Sequence, residues 1–357
     1  MFTVNPKRKK SHIVALALTI MMVMSLFPTL VSADMSYDCE VERHQMAEVI
    51  DDLSSTILTT TSYADEMSYV VEIRGLTDLR DAIIESYPQL SDYELARAIL
   101  RTLGETDEQI DDMPLELILG ALEYTAVIIS ESYFGVAYDG SKIEMTRDEF
   151  HVDVATMKAL DLIADFAMSS SLPGDNRTHG NLILRTHIAR IATSGNRFMI
   201  NAEAEWVRLP LFRNINMLAI GHTSTANICN ILVGGATARY VFGSRSTTDS
   251  AARDRNGMFM TMQPTLNGMG VSYHLAPGIC CCSVYMISGS IRLWHGITIP
   301  TGNTTNVMVG YGQRGLNFFG SIGFSISGSG PSISFSPSIS TTTFTGWPLA
   351  LRWDAGL

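Results

Sequence analysis

A change of hydrophobic period near residue 170 constrains this chain most, because the sign of the charge changes at the same place. Residues 34–170 carry 30 Asp and Glu against 8 Lys and Arg, a net charge of −22. Residues 171–357 carry 13 Arg, no Lys and 6 Asp and Glu, a net charge of +7. Apolar residues recur at helical spacing before the change and at alternate positions after it, which predicts helices followed by strands.

The first 33 residues have the pattern of a secretory signal. A basic cluster at residues 7–10 precedes an apolar run at 13–27, and small residues at 31–33 suit cleavage after Ala33. We therefore expect a secreted protein, and the long basic cluster is typical of Gram-positive bacteria. The alternative is an uncleaved membrane anchor, because residues 13–31 approach the roughly 20 apolar residues that cross a bilayer.

Composition and loop residues predict the domain organisation. A hydrophobic content of 46% and a charged content of 17% are typical of a folded protein, and the length suits two domains. The predicted parts are a signal peptide at 1–33, an acidic and mainly helical domain at 34–170, a linker at 171–181 and an Arg-rich β-sandwich domain at 182–357.

Capping signals support helices in the acidic domain. Ser91 with Glu94, and Thr106 with Gln109, form capping boxes in which side chain and backbone satisfy each other. Residues 127–138 and 142–145 are richer in strand-forming residues and predict a short hairpin between the helices.

Alternation dominates the second half and predicts the fold class. Residues 182–191 and 197–207 alternate, and further short strand candidates follow up to residue 311. Many strands at such spacing are typical of an antiparallel sandwich or barrel. The predicted fold class is α+β, with an N-terminal acidic helical region followed by a C-terminal antiparallel β-sandwich.

The tail predicts a hairpin with one apolar face and one hydroxyl face. Phe324 and Ile326 in the first predicted strand, and Ile333 and Phe335 in the second, alternate with Ser or Gly. In a sandwich the apolar face packs inward, whereas in a membrane barrel it meets lipid. A lipid-crossing strand needs about 9–11 residues, so the second interpretation requires the flanking residues as well.

The motif search predicts no catalytic, cofactor-binding or metal-ligating residue. Three histidines in strand-like regions could be combined with Asp249 or Asp254 and a serine into a hydrolase triad, but nothing activates a particular hydroxyl. Those histidines are His222, His274 and His295. The acidic clusters at 107–108 and 111–112 lack the spacing of a calcium loop. The five cysteines favour buried thiols over a disulfide framework.

Four arginines form the one candidate binding site. Arg239, Arg245, Arg253 and Arg255 lie in a loop-like stretch rich in Ser and Thr. Arginine forks bind carboxylate or phosphate oxygens. The expected partner is an anionic cell-wall polymer, lipid headgroups, or the acidic half of the same chain. Nucleic acid is not expected, because the chain as a whole is acidic and no helix is basic.

Two short stretches carry a resemblance. The segment from Ser91 to Leu100, with Leu103-Gly104 and Met113-Pro114 after it, is similar to a segment of uncharacterised secreted proteins of Gram-positive bacteria. The segment Trp206 to Arg213 resembles their tryptophan–proline–arginine strand end. An acidic residue closely follows the arginine in that pattern, and asparagines stand here instead. The resemblance implies no activity.

These observations favour a non-enzymatic extracellular or cell-surface binding module with a β-sandwich scaffold. A membrane-active, pore-forming-like protein with an acidic masking half is the alternative, and a secreted hydrolase is a further one. Inside the sandwich, Trp206 is interpreted as a core anchor.

Overall fold

Alternating sequences form the strands of this protein, and helices cover part of the result. The computed structural model describes residues 46–65, 68–137, 140–166, 178–192, 196–209, 215–229, 232, 234–242, 245–252, 256–258, 260–274, 288–314, 323–327, 332–336, 341–346 and 348–352. The chain divides into two compact units, Met1–Thr56 and Ile57–Leu357. The described part of the first unit is helical.

The described helices lie in the first half of the chain. They are α1 (46–57), α2 (Leu76–Ser86), α3 (Asp92–Thr102), α4 (Asp107–Asp111), α5 (Leu115–Gly120) and α6 (Arg147–Phe166), with a 3₁₀ turn at Ala121–Glu123. The capping boxes predicted at Ser91 and Thr106 are confirmed at the starts of α3 and α4. No helix in the described ranges has the length and apolar character needed to cross a membrane.

The strands occur on both sides of the predicted domain boundary. They are β1 (Thr59–Asp65), β2 (Ser68–Arg74), β3 (Tyr124–Ala137), β4 (Lys142–Met145), β5 (Thr178–Ile191), β6 (Arg197–Arg208), β7 (Ile215–His222), β8 (Asn227–Ile228), β9 (Gly235–Phe242), β10 (Arg245–Ala252), β11 (Met260–Thr265), β12 (Gly268–His274), β13 (Ser288–Thr298), β14 (Thr304–Arg314), β15 (Gly323–Ser327), β16 (Ser332–Ser336), β17 (Thr341–Thr345) and β18 (Leu349–Arg352).

Antiparallel pairing joins these strands into two large sheets and one hairpin. The larger of the two, called the large sheet below, has the order β1-β2-β3-β5-β6-β13-β9-β10, with β4 beside β3 and β8 beside β13. The second sheet has the order β11-β12-β7-β14-β17, with β18 beside β14. Strands β15 and β16 pair with each other as a separate two-stranded sheet.

Both large sheets share one apolar core. The alternation in β6 places Ile200, Ala204 and Trp206 in this core together with Leu218 and Ile220 of β7. The interpretation of Trp206 as a core anchor is confirmed, because its side chain is fully buried and its Nε1 donates to the hydroxyl of Tyr311 at 2.8 Å. The tyrosine thus satisfies the one polar atom that the indole brings into the core.

The structure confirms the predicted fold class at a coarse level, since the described chain is mostly antiparallel β-sheet with a few helices. The predicted linker at 171–181 overlaps the start of β5, and β5 pairs with β3 from the pair Tyr124 and Ile191 to the pair Ala137 and Thr178. The acidic region therefore contributes strands to the large sheet. Sequence reasoning missed β1 and β2, whose Thr- and Val-rich segments it assigned to a helical region.

Candidate functional site

The outer face of the large sheet, turned away from the shared core, carries a row of alternating charge. Glu131 of β3 lies opposite Arg185 of β5, which lies opposite Glu203 of β6. Glu203 in turn lies opposite Arg292 of β13, and Thr237 of β9 follows. Opposite charges on neighbouring strands attract across a sheet. We call these five residues the charged row.

Arg185 holds the carboxylates at one end of the charged row. Its Nε donates to Glu131 at 2.8 Å, and its Nη1 donates to Glu205, which lies two residues along β6 from Glu203 and on the same face. Nη1 also lies 3.8 Å from the carboxylate of Glu203. Burial by itself would lower the pKa of Arg185, but the three carboxylates outweigh it and the pKa is raised. The guanidinium therefore stays charged.

Glu105 lies over the other end of the charged row and binds Arg292. This residue follows α3, and its carboxylate accepts two hydrogen bonds from Arg292, at 3.0 and 2.7 Å. Its Oε1 also lies 3.2 Å from Nδ1 of His187. The side chains of Glu105 and Arg292 are only 3% and 5% exposed. Two residues that are 187 positions apart thus form a buried, bidentate ion pair.

Glu105 and Glu203 respond to this surrounding in opposite directions. Burial would raise the pKa of Glu105, but the charge of Arg292 and the hydrogen bond with His187 hold it well below its usual range. Burial raises the pKa of Glu203, and although Arg292 opposes this, the nearby charge of Glu105 adds to it. Arg292 thus favours the ionised form of Glu105 more strongly than that of Glu203.

Helix α4 is attached to the sheet by ion pairs and a hydroxyl. Arg239 of β9 donates to Glu108 at 2.9 Å and lies 3.4 Å from Asp112. Thr248 of β10 donates to Asp112 at 2.9 Å. Gln109 reaches Glu203 at 3.3 Å. The capping box at Thr106 starts this helix directly after Glu105, which is itself bound to Arg292 of the sheet.

A cavity of about 870 Å³ lies over the charged row, within the usual range of ligand pockets. Its described lining contains six carboxylates, from Glu105, Glu108, Asp112, Glu131, Glu203 and Glu205. The same lining contains four guanidinium groups, from Arg147, Arg185, Arg239 and Arg292. We call this space the charged cavity. Its surface carries both signs of charge, with two more carboxylates than guanidinium groups.

A second cavity of about 620 Å³ lies on the same face of the sheet. Its described lining is mainly apolar and includes Leu117 and Leu119 of α5, Met199 of β6 and Trp294 of β13. We call this space the apolar cavity. Thr237 lines both cavities.

The predicted anion site is only partly described. Arg239 lies in β9 and Arg245 is the first residue of β10, so both belong to a strand hairpin where a loop was predicted. Arg253 and Arg255 lie outside the described residues. Arg239 already binds two carboxylates of the acidic region. The four-arginine anion site stays a prediction.

The histidines considered for a hydrolase lie apart from the charged row. His222 and His295 are buried, and their rings stack with centroids 5.8 Å apart. Burial lowers the pKa of His222, although the hydrogen bond with the carbonyl of Thr223 acts in the opposite direction. His274 ends β12, Asp249 accepts from the backbone of Ser250 and Met258, and Asp254 lies outside the described residues. In the described ranges, no three His, Cys, Asp or Glu side chains are placed to hold a metal ion.

Sequence reasoning missed most members of the charged row. Alternation placed Glu203 and Glu205 on the polar face of their strand, but nothing in the sequence paired them with Arg185 or Arg292. The available signal was that isolated charges interrupt strands that are otherwise apolar. Such a charge needs a partner when it is buried.

Comparison with known proteins gives no family. No family profile matches the chain, and no curated protein matches it. Among solved structures, a protein described as a pore forming protein has a TM-score of 0.25 and 6% identity, covering 50% of this chain and 89% of its own. The NetB toxin of Clostridium perfringens in its membrane-inserted form has a TM-score of 0.23 and 7% identity, covering 49% of this chain and 92% of its own. Likenesses at this level carry no functional argument.

Proposed function

We propose that this protein is an exported, non-enzymatic binding protein that holds a positively charged ligand in the charged cavity. The observation that carries the proposal is the cavity itself, which lies over a row of buried ion pairs and has two more carboxylates than guanidinium groups. The sequence pattern of residues 1–33 supports export.

The charge arrangement favours a cation over the anion expected from sequence. Three of the four guanidinium groups, those of Arg185, Arg239 and Arg292, already bind carboxylates of this chain, and that of Arg147 lies over the ring of Tyr69. An anion would have to compete with these carboxylates. Glu205 and Glu108 are partners of Arg185 and Arg239, but they keep exposed fractions of 34% and 75% while lining the cavity. An ammonium or guanidinium group could approach these carboxylates without breaking the row beneath.

Calorimetric titration with small probes tests this proposal. We expect argininamide to bind, and acetate and phosphate to give no heat of binding. Glu205→Gln should weaken argininamide binding about fivefold, because a partly exposed ion pair contributes about 1 kcal/mol. Glu144→Gln is the matched control, since Glu144 pairs with Lys142 and does not line the cavity. Tighter binding of phosphate than of argininamide would overturn the proposal.

A second candidate function is membrane activity of the β15–β16 hairpin, in a chain whose acidic helices mask the arginines of the sheet. The supporting observation is that the hairpin pairs only with itself in the described chain and lies on the second sheet by its apolar face. Ile333 and Phe335 are buried against Met217 and Ala219 of β7, while Ser334 between them is exposed. Among the described residues, β15 and β16 form no ladder with another strand, so the hairpin could leave the second sheet without breaking that pairing.

Dye release from anionic vesicles tests the second candidate with the full chain. Membrane activity predicts that the protein releases dye and that Ile333→Asp abolishes the release, because the charge lies on the lipid-facing side. Ser334→Asp, one position along on the hydroxyl face, is the control and should release dye as the parent does. Intact vesicles with the parent protein would exclude this candidate.

A further inference from the structure

The charged and apolar cavities are two ends of one strip of the large sheet. Along β13, Arg292 lines the charged cavity and Trp294 lines the apolar one. Along β6 the same change occurs between Glu203 and Met199. Residues two apart on a strand share a face and lie about 7 Å from each other. The polar and apolar surfaces therefore meet within a few ångströms at Thr237.

The apolar end has an aromatic wall held close to the backbone. A Cβ atom at Gly235 would lie 2.6 Å from Cζ2 of Trp294 and 2.9 Å from the carbonyl oxygen of Ala251. Glycine therefore lets the indole lie directly against β9. Leu117 and Leu119 of α5 line the cavity as well.

We propose that the two cavities together bind a single-chain amphiphile with a cationic head. The head would lie among the carboxylates of the charged cavity, and the chain would pass Thr237 to reach Trp294. This inference rests on the proposed function for its head site. It adds that affinity grows with the length of an apolar chain attached to the charge.

A homologous series of alkylammonium ions, from ethyl to octyl and below the concentrations at which they aggregate, tests the inference on the purified protein. We expect affinity to rise by about fourfold for each methylene that is buried. Alkyl carboxylates and alcohols of the same lengths should bind more weakly at every length. Argininamide is titrated in parallel as a probe of the head site alone.

Two variants on α5 locate the chain. Leu119→Gln lies in the apolar cavity and should flatten the dependence on chain length while leaving argininamide binding unchanged. Leu115→Gln is the matched control, because Leu115 is 55% exposed and does not line that cavity. In addition, a bromine at the chain end should quench tryptophan fluorescence in the parent protein, and Trp294→Phe should remove most of that quenching.

The outcomes separate the two proposals. If argininamide binds but affinity does not change with chain length, the amphiphile inference is wrong and the proposed function stands. If carboxylates bind as tightly as ammonium ions of equal length, the cationic head is wrong. If argininamide fails to bind, the proposed function fails and this inference fails with it.

Discussion

At the scale of single residues, Arg292 has the largest structural role in the charged row. It binds Glu105 in two hydrogen bonds and Glu203 in a third, at 3.1 Å. All three side chains are nearly inaccessible to water. Two carboxylates close together in such a place are tolerable only because a guanidinium lies between them.

Replacing Arg292 should therefore be costly. Arg292→Gln leaves buried carboxylates without their counter-charge, and we expect the free energy of unfolding to fall by about 3–5 kcal/mol. Urea denaturation measures the change. The control is Arg74→Gln, because Arg74 pairs with Glu72 at a side-chain exposure of 53% and should lose only about 0–1 kcal/mol. Equal losses in the two variants would contradict this role for Arg292.

The opposite pKa shifts of Glu105 and Glu203 predict opposite pH dependences. The lowered pKa of Glu105 stabilises the fold above the usual value of 4.5, and this contribution is lost as the pH falls towards the folded-state pKa. The raised pKa of Glu203 does the reverse. Its contribution is present in acid, below the usual value, and is lost as the pH rises through the raised pKa.

Urea denaturation across a pH series separates these two effects. Glu105→Gln should be clearly less stable than the parent at neutral pH, and the difference should shrink steadily as the pH falls below about 5. The free energy of unfolding of Glu203→Gln should increase relative to that of the parent as the pH rises from acid to neutral. Parallel pH curves for the parent and both variants would show that neither carboxylate has the environment described.

At the scale of elements, the β15–β16 hairpin depends on small residues in the sheet beneath it. Gly310 of β14 lies directly opposite Ala219 of β7. A Cβ at Gly310 would lie 3.3 Å from both Ile333 and Phe335 of the hairpin. The second sheet therefore has a shallow depression, the seat, which Ile333 and Phe335 fill.

Filling that seat should loosen the hairpin. Gly310→Val places branched methyl groups where Ile333 and Phe335 pack, and we expect faster limited proteolysis within residues 323–336. Gly120→Ala is the control, because nothing lies within 4 Å of a Cβ at Gly120 and alanine favours the helix. A proteolysis rate unchanged by Gly310→Val would mean that the seat does not hold the hairpin.

At the scale of the whole molecule, the two charge regions meet on one face of one sheet. Carboxylates of the acidic region lie against arginines of the second half at Glu105 with Arg292, at Glu108 with Arg239 and at Glu131 with Arg185. Strand β3 also places part of the acidic region within the sheet itself. The opposite charges thus serve the packing of a single unit from Ile57 onward.

Export is the prediction that belongs to the chain as a whole. Expressed in a Gram-positive host, the protein should accumulate in the medium with Asp34 as its first residue, which mass spectrometry of the N-terminal peptide measures. Ala33→Arg should block cleavage, because signal peptidases require a small residue there. Full-length protein retained in the membrane fraction would instead favour the uncleaved anchor.

Local patterns in the sequence determined much of this protein. The alternation of residues 197–207 gave β6 and its buried face, and the boxes at Ser91 and Thr106 gave two helix starts, because both depend on residues within a few positions of each other. The two charge regions and the apolar and hydroxyl faces of the tail hairpin are properties of the sequence as well.

Which charges meet depends on contacts between distant parts of the chain. Glu105, His187, Glu203 and Arg292 converge because the segment after α3, the β5–β6 hairpin and β13 come together from distant parts of the chain, and a shift of one residue in any of these strands would turn its charge to the other face. Local propensity carries no information about such distant pairing. For the same reason, both cavities and the line along which they meet at Thr237 could be found only once the strands were in place.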